Sequence, residues 1–454
     1  MTVCDEACRQ PPSTAGDLTH DADHRPPNRT RPSVRSRQAG PNETERGHSA
    51  DSAAGPRVAL VSLHTSPAAA PGGGDAGGMN VYLSHAARGL AALGWQVDVY
   101  TRASSPEQVA RAGEPLGAAT LRYVKAGPAE PVDKAVLPAF ADEFAHAMAL
   151  GPRADVVHSH YWMSGLAGAV VAQAWDAPHV QSLHTVAAMK NRSLARQDPP
   201  EGAERLAGER RLARSASMVV TVSEAERAAI IADYGVPANR LAVVSPGLDG
   251  AVFHPGPGPD LTALPEALRR PAGYLLMAGR VQPIKGQDLA VQALAAMPAN
   301  DRPALLVVGA PSEGHLEYAM ELRRLARDLG VAQDVVFLGQ QAPGCLADLM
   351  RGARLALMPS RSETFGLIAA EAGACGTPVV AADTTGLRSS VADGVTGVLL
   401  ASRSPENWAA RIVRLLGDPE LTRRLGDAGA KLGRSRTWTR VATALETVYA
   451  SLGA

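Results

Sequence analysis

Two stretches of this chain alternate short, wholly apolar runs with segments of helical period, and an interval rich in Pro and Gly separates them. A continuous apolar run of that length is how a parallel strand buried on both faces reads. Parallel strands need a crossover, normally a helix, so the alternation prescribes βαβ units. In the first stretch the strands fall at residues 58–63, 96–100, 156–158, 180–183, 218–222 and 241–244, with a helix over 81–93 that stops at Gly94. Residues 249–271 have little periodicity and read as an interdomain linker. The pattern then restarts, with strands at 274–278, 305–308, 335–338, 355–358 and 378–381 and a helix from about Gln287. The prediction is an α/β protein of two Rossmann-like, doubly wound domains facing across a cleft. They span residues 56–250 and 251–436, and a C-terminal helix in 437–454 crosses back to the first domain. Ligands of open α/β sheets bind outside the C-terminal strand ends, so two such domains set two ligands opposite each other. That arrangement suits group transfer between two substrates.

Composition narrows the field. A formal net charge of zero gives no footing for a nucleic-acid partner. No apolar run approaches the roughly 18 residues of a membrane span, and the N-terminus has no apolar core of a signal peptide, so a cytoplasmic protein is expected. Residues 1–55 contain no aromatic residue, no Ile and one Leu, Leu18. Such a segment cannot bury enough apolar surface to offset its ordering entropy, and it reads as a disordered tail or an arm for a partner. Cys4, Cys8, Cys345 and Cys375 read as thiols of a reducing compartment. Cys4 and Cys8 lack a second Cys or His pair at zinc-like spacing.

Four motifs lie where strands should end. The first, Gly72-Gly73-Gly74-Asp75-Ala76-Gly77-Gly78-Met79-Asn80, joins a strand to a helix. Its glycines allow close backbone approach, and a helix N-terminus favours an anion, although a plain tight turn fits as well. Tyr100-Thr101-Arg102 stands where a dinucleotide fingerprint would need an acidic residue. In the second, Gly279-Arg280-Val281-Gln282-Pro283-Ile284-Lys285-Gly286, two cations five residues apart can reach one diphosphate; otherwise they are solvated charges. In the third, Ser360 to Glu371, a strand leads through Thr364, Phe365, Gly366 and Leu367 into a helix. Backbone N–H groups there can receive phosphate. Glu363 stands at the helix start for a sugar hydroxyl, and Glu371 about two turns in for a ribose hydroxyl pair. The fourth, His158-Ser159-His160-Tyr161-Trp162, with His184-Thr185 after the next strand, reads as a substrate-facing wall or as satisfied core histidines.

With these residues placed, residues 56–450 resemble the family-4 retaining glycosyltransferases, which have the GT-B fold. Glu363 and Glu371 match that family's paired glutamates, and Arg280 and Lys285 match its phosphate-binding cations. The resemblance implies that Arg280, Lys285 and Glu363 serve catalysis. It also implies that Gly74, Gln341, Thr364, Phe365, Gly366, Leu367 and Glu371 help to bind the donor. Within the family, His64-Thr65-Ser66-Pro67, Gly74 to Tyr82, His158 to Trp162 and His184 to Asn191 look like the D-inositol-3-phosphate glycosyltransferases of mycothiol biosynthesis. Those enzymes move N-acetylglucosamine from UDP-N-acetylglucosamine to 1D-myo-inositol 3-phosphate. The resemblance places the acceptor phosphate on Lys134, Tyr161, Thr185 and Arg205. The rest of the acceptor falls to His64, Asp75, Ala76, Gly77, Gly78, Met79, Asn80 and His184. Ala70 replaces a common Gln before Pro71, and no acidic pair follows Lys134.

The substrates implied are a nucleotide sugar and a phosphorylated polyol. No cofactor is required; a magnesium ion is left open without ligands, and so is a homodimer. A related transferase with a phosphoinositide or natural-product acceptor is the nearest alternative. A non-catalytic nucleotide-sugar sensor is another, though Glu363, Arg280 and Lys285 are all intact. A nucleotide-sugar epimerase would need no acceptor.

Overall fold

The computed structural model describes residues 55–69, 77–111, 113–194, 199–312 and 314–454. The tail up to residue 54, Ala70, Pro71, the glycines through Gly74, Asp75 and Ala76 lie outside the described residues.

The first domain is an eight-stranded sheet in the order β3-β4-β2-β1-β5-β6-β7-β8. Its strands are β1 (Arg57–Val61), β2 (Gln96–Arg102), β3 (Gly113–Leu116), β4 (Ala119–Val124), β5 (Val156–His160), β6 (His179–Ser182), β7 (Met218–Thr221) and β8 (Leu241–Val243). All neighbours pair in parallel except β3 with β4. The second domain is a six-stranded parallel sheet in the order β11-β10-β9-β12-β13-β14. Its strands are β9 (Tyr274–Ala278), β10 (Ala304–Val308), β11 (Val335–Gly339), β12 (Leu355–Met358), β13 (Val379–Ala382) and β14 (Gly397–Leu400). The uniformly apolar runs are the central strands, and β9, β10, β12 and β13 are buried at every position. Sequence reading passed over β3, β4 and β14. Edge strand β3 is buried only at Leu116, its neighbour β4 mixes buried and half-buried positions, and β14 is half-buried at its end.

Both sheets reverse their winding once. From β1 the chain runs outward through β2, then returns to lay β5 on the other side of β1. From β9 it runs outward through β10 and β11, then returns to lay β12 beside β9. Such a switch leaves a crevice between the loops that follow the two central strands.

Residues 249–271 are more than a tether. Phe253, Leu264 and Leu268 are buried, and Arg351 donates to the carbonyls of Val252 and His254. The last helix, Trp438–Ala450, lies against the first domain. Trp438 stacks on His85, Trp95 Nε1 donates to Glu446 Oε1 at 3.2 Å, and Tyr449 Oη meets His158 Nδ1 at 2.7 Å. The two strands of chain that connect the domains run side by side, with Leu248 bridged to Thr437. Gly247 permits this approach: a Cβ there would come within 2.6 Å of the Trp438 backbone nitrogen.

Candidate active site

The third motif begins where β12 ends. Gly366 adopts φ +83°, a left-handed conformation that a Cβ disfavours, so the helix starts only after it, over Leu367–Ala374. Glu371 therefore stands just past the first turn, not two turns in. It is 7% exposed, and among the described residues nothing hydrogen-bonds its carboxyl. Burial pushes that carboxyl up to about 8. The second motif begins where β9 ends. Lys285 closes the turn Pro283–Lys285, and its Nζ meets Glu363 Oε1 at 2.6 Å. Ser360 Oγ donates to the same oxygen at 3.0 Å. The Arg280 carbonyl is tied to Gln287 Nε2 at 3.0 Å, which fixes the loop beside β9. Since β9 and β12 are neighbours, Arg280, Lys285, Glu363 and Glu371 all flank the switch point of the second sheet. Gln341 follows β11 at the sheet edge, with its Oε1 buried and unpartnered. Phe365 is buried beneath the Arg436 guanidinium, 5.3 Å from its ring centroid.

Across the cleft, His64 follows β1 and Tyr161 follows β5, the two strands of the first switch point. Their rings lie 4.5 Å apart. His184 and Thr185 follow the next strand, β6. Tyr161 and His184 both have positive φ, +76° and +60°. Backbone strain in bulky residues persists where the surroundings impose it, commonly at functional sites. Lys134 Nζ and the Arg205 guanidinium each lie 4.9 Å from the Tyr161 ring centroid. Arg205 Nη2 donates to Thr185 Oγ1 at 3.0 Å. Thus Lys134, Tyr161, Thr185 and Arg205, drawn from four separate segments, meet at one place.

The histidines form a buried set. His160 Nδ1 meets His184 Nε2 at 2.8 Å, and His158 Nε2 meets Ser182 Oγ at 2.9 Å. Burial lowers all three, His184 to about 3, so the imidazoles are neutral. His158 thus carries structure, between Tyr449 and Ser182, while half-buried His184 stacks on His160. Asn80 is buried too. Its amide donates to Thr65 Oγ1 and the Ser66 carbonyl, and its oxygen accepts from the Gly77 N–H. It holds the start of the helix Gly78–Ala92, on which Gly78 is exposed and Met79 half-buried, against the loop after β1.

Three residues escaped sequence reading. Glu201 pairs with Arg205 Nη1 at 2.9 Å and with Lys190 Nζ at 2.6 Å. Glu209, fully buried, takes Arg205 Nε at 2.7 Å. Their spacing, Glu201, Arg205, Glu209, is a run of i,i+4 pairs that could have flagged them. Ser223, at the end of β7, donates to the Thr364 carbonyl at 3.1 Å and so joins the two domains across the cleft.

Each sheet thus carries a cluster at its switch point, one of cations and carboxylates, the other basic and aromatic. Comparison with known proteins agrees. Residues 77–247 match the family described as glycosyl transferase 4-like domain, and residues 265–432 match glycosyl transferases group 1. The chain is 39% identical to the D-inositol 3-phosphate glycosyltransferase of Gordonia bronchialis over 405 residues, covering 87% of this chain and 88% of the relative. It is 41% identical to that of Nocardiopsis dassonvillei, covering 87% of this chain and 94% of the relative. The chain belongs to the D-inositol 3-phosphate glycosyltransferase family. This glycosyltransferase has the GT-B fold. It superposes on the sucrose-phosphate synthase of Thermosynechococcus elongatus with a TM-score of 0.78 and 28% identity, covering 87% of this chain and 99% of that one. No helix of the described residues is long and apolar enough to cross a membrane.

Proposed function

We propose that the enzyme transfers N-acetylglucosamine from UDP-N-acetylglucosamine to 1D-myo-inositol 3-phosphate with retention at the anomeric carbon, the first step of mycothiol biosynthesis. The observation that carries the acceptor is the meeting of Lys134, Tyr161, Thr185 and Arg205 beside the β1/β5 switch point. Two cations, a hydroxyl and a phenol around one spot suit a phosphate, and a neutral polyol would leave both cations without a substrate anion. The names of the relatives point to the same acceptor.

On the donor side, Arg280, Lys285 and the N–H groups at the start of Leu367–Ala374 receive the diphosphate. Glu371 takes the ribose hydroxyls, and Gln341 faces the base. Glu363 turns from Lys285 toward a sugar hydroxyl once the phosphate claims the lysine. The acceptor hydroxyl oxygen then bonds to the anomeric carbon on the face from which the β-phosphate oxygen departs. Its proton passes to that departing oxygen, and UDP and the glycoside are the products. No covalent intermediate is needed. Fixed cations and dipoles stabilise the charge that grows on the leaving phosphate without reorganising. Neutral His184 offers the sugar a hydrogen bond without competing for the phosphate's charge.

A donor–acceptor matrix with mass-spectrometric readout tests this, with inositol offered with and without its phosphate. The expected result is turnover of the phosphorylated acceptor alone. Equal turnover of both removes the phosphate clamp, and product from the donor alone indicates an epimerase.

A further inference from the structure

Arg205 has no vacant edge in the described structure. Nε is held by Glu209, Nη2 by the hydroxyl and carbonyl of Thr185, and Nη1 by Glu201 Oε2. Glu209 and Glu201 are not equivalent partners. Glu209 is 0% exposed and is locked further by the Ala187 N–H at 2.9 Å and Tyr234 Oη at 2.6 Å. Glu201 is 19% exposed and reaches the guanidinium from the solvent side. It shares with Thr185 the Nη1–Nη2 edge, the one a phosphate would take bidentately.

The backbone of Glu201 is fixed while its side chain has a second berth. Its N–H donates to Asn191 Oδ1 at 2.7 Å, and its carbonyl accepts from Asn191 Nδ2 at 3.2 Å. Its other carboxylate oxygen already meets Lys190 Nζ at 2.6 Å, and Lys190 is 35% exposed. Burial raises the Glu201 carboxyl, but Arg205 and Lys190 more than reverse that, so it is a carboxylate at neutral pH.

We infer that Glu201 is a resident anion on the acceptor's phosphate seat, and that binding is an exchange in which the incoming phosphate displaces Glu201 from Arg205 onto Lys190. The inference rests on the acceptor proposed above. A dianion outcompetes a carboxylate at the same guanidinium edge, whereas an uncharged polyol cannot. Glu201 is thus a specificity-determining residue. It keeps Arg205 covered, out of reach of weaker anions, until a ligand with enough charge arrives.

The test uses the purified full chain at saturating donor. KM and kcat are measured for inositol 3-phosphate and for inositol, together with inhibition by inorganic phosphate, in wild type, Glu201→Gln and Lys190→Met. Removing the competing anion raises the binding-competent fraction, so Glu201→Gln should lower KM for the phosphorylated acceptor and Ki for phosphate each about five-fold, with kcat unchanged. Lys190→Met removes the second berth and should shift KM the other way. A residue that merely held Arg205 in place would give the opposite sign: KM and Ki for Glu201→Gln unchanged or raised, at a wild-type melting temperature, overturns the exchange. If Glu201→Gln does not fold, Glu201→Asp, which retracts the carboxylate by one methylene, should move both constants the same way, and no change overturns the inference. Wild type that uses both acceptors equally removes the acceptor proposal and the exchange with it; normal discrimination with unmoved constants in the variants removes the exchange alone.

Discussion

The donor and acceptor halves hold their cations in different ways. On the donor side, Lys285 pairs with Glu363, a residue that itself belongs to the site and is 12% exposed. On the acceptor side, Arg205 is pinned by Glu209, which never sees solvent. Without Lys285, Glu363 keeps the Ser360 hydroxyl and some exposure to solvent. Without Arg205, Glu209 is a fully buried carboxylate with no cation beside it. The same residue chemistry therefore has two failure modes in one enzyme, lost turnover on one side and lost folding on the other.

The largest expected effect breaks this comparison if it fails. Arg280→Ala should lower kcat by about 10²–10³-fold, as expected for a fixed charge aimed at a leaving group, with a urea midpoint near that of wild type. Near-normal turnover would remove Arg280 from the diphosphate. Arg205→Ala should act on stability first. It leaves the Glu209 carboxylate buried with only Tyr234 Oη and the Ala187 N–H, a loss of about 3–5 kcal/mol. Urea unfolding reads this directly. An Arg205→Ala enzyme as stable as wild type, with only a raised acceptor KM, would make the two halves alike.

The same contrast decides what could be read from the sequence. The donor half is local: two strand-loop-helix junctions, 279–286 and 360–371, carry nearly all of it, and β9 and β12 are neighbours by topology. Motif and position are enough to bring those residues to one switch point. The proposed acceptor half is assembled from residues near 64, 134, 161, 185 and 205, and no spacing rule connects them; family resemblance singled out the four that the fold brings together. The central strands were legible because burial on both faces makes them wholly apolar. Edge strand β3 and its neighbour β4 were not, because half-exposed positions break the run. Glu371 was placed a turn too deep because only the left-handed Gly366 sets where the helix begins. Glu201 and Glu209 drew no notice in the sequence, and only the fold shows that both meet the Arg205 guanidinium.

A smaller effect sharpens the comparison through pH. The Glu371 carboxyl is raised from 4.5 to about 8 by burial. Its share of stability is complete below about 4.5 and is lost as pH rises through 8, because burial disfavours the ionised form. His184 has the opposite sign. Lowered from 6.5 to about 3, it supports the fold above 6.5 and that support is lost as pH falls toward 3. Glu371 is thus a base-sensitive point of the fold and His184 an acid-sensitive one. Glu371→Gln should raise Tm relative to wild type at pH 9, leave it unchanged near pH 4, and raise the donor KM. A Tm difference that does not vary with pH would mean that the carboxyl is not perturbed by burial.

The smallest effect concerns the contact that joins the halves. Ser223 caps the helix Glu224–Ala229 by accepting from the Glu226 N–H at 3.2 Å, and donates to the Thr364 carbonyl of the donor loop at 3.1 Å. Ser223→Ala removes both and should reduce stability by about 1 kcal/mol. Ser223→Gly keeps most of the cap preference, a difference of only a few tenths of a kcal/mol from serine, yet also lacks the hydroxyl. Comparing the two separates local from interdomain roles. If the contact across the cleft matters to closure, both variants should show the same modest fall in kcat while Ser223→Gly recovers most of the lost Tm. If kcat recovers in Ser223→Gly along with Tm, the serine acts only as a cap, and the two halves communicate through the paired chain at Leu248 and Thr437 instead.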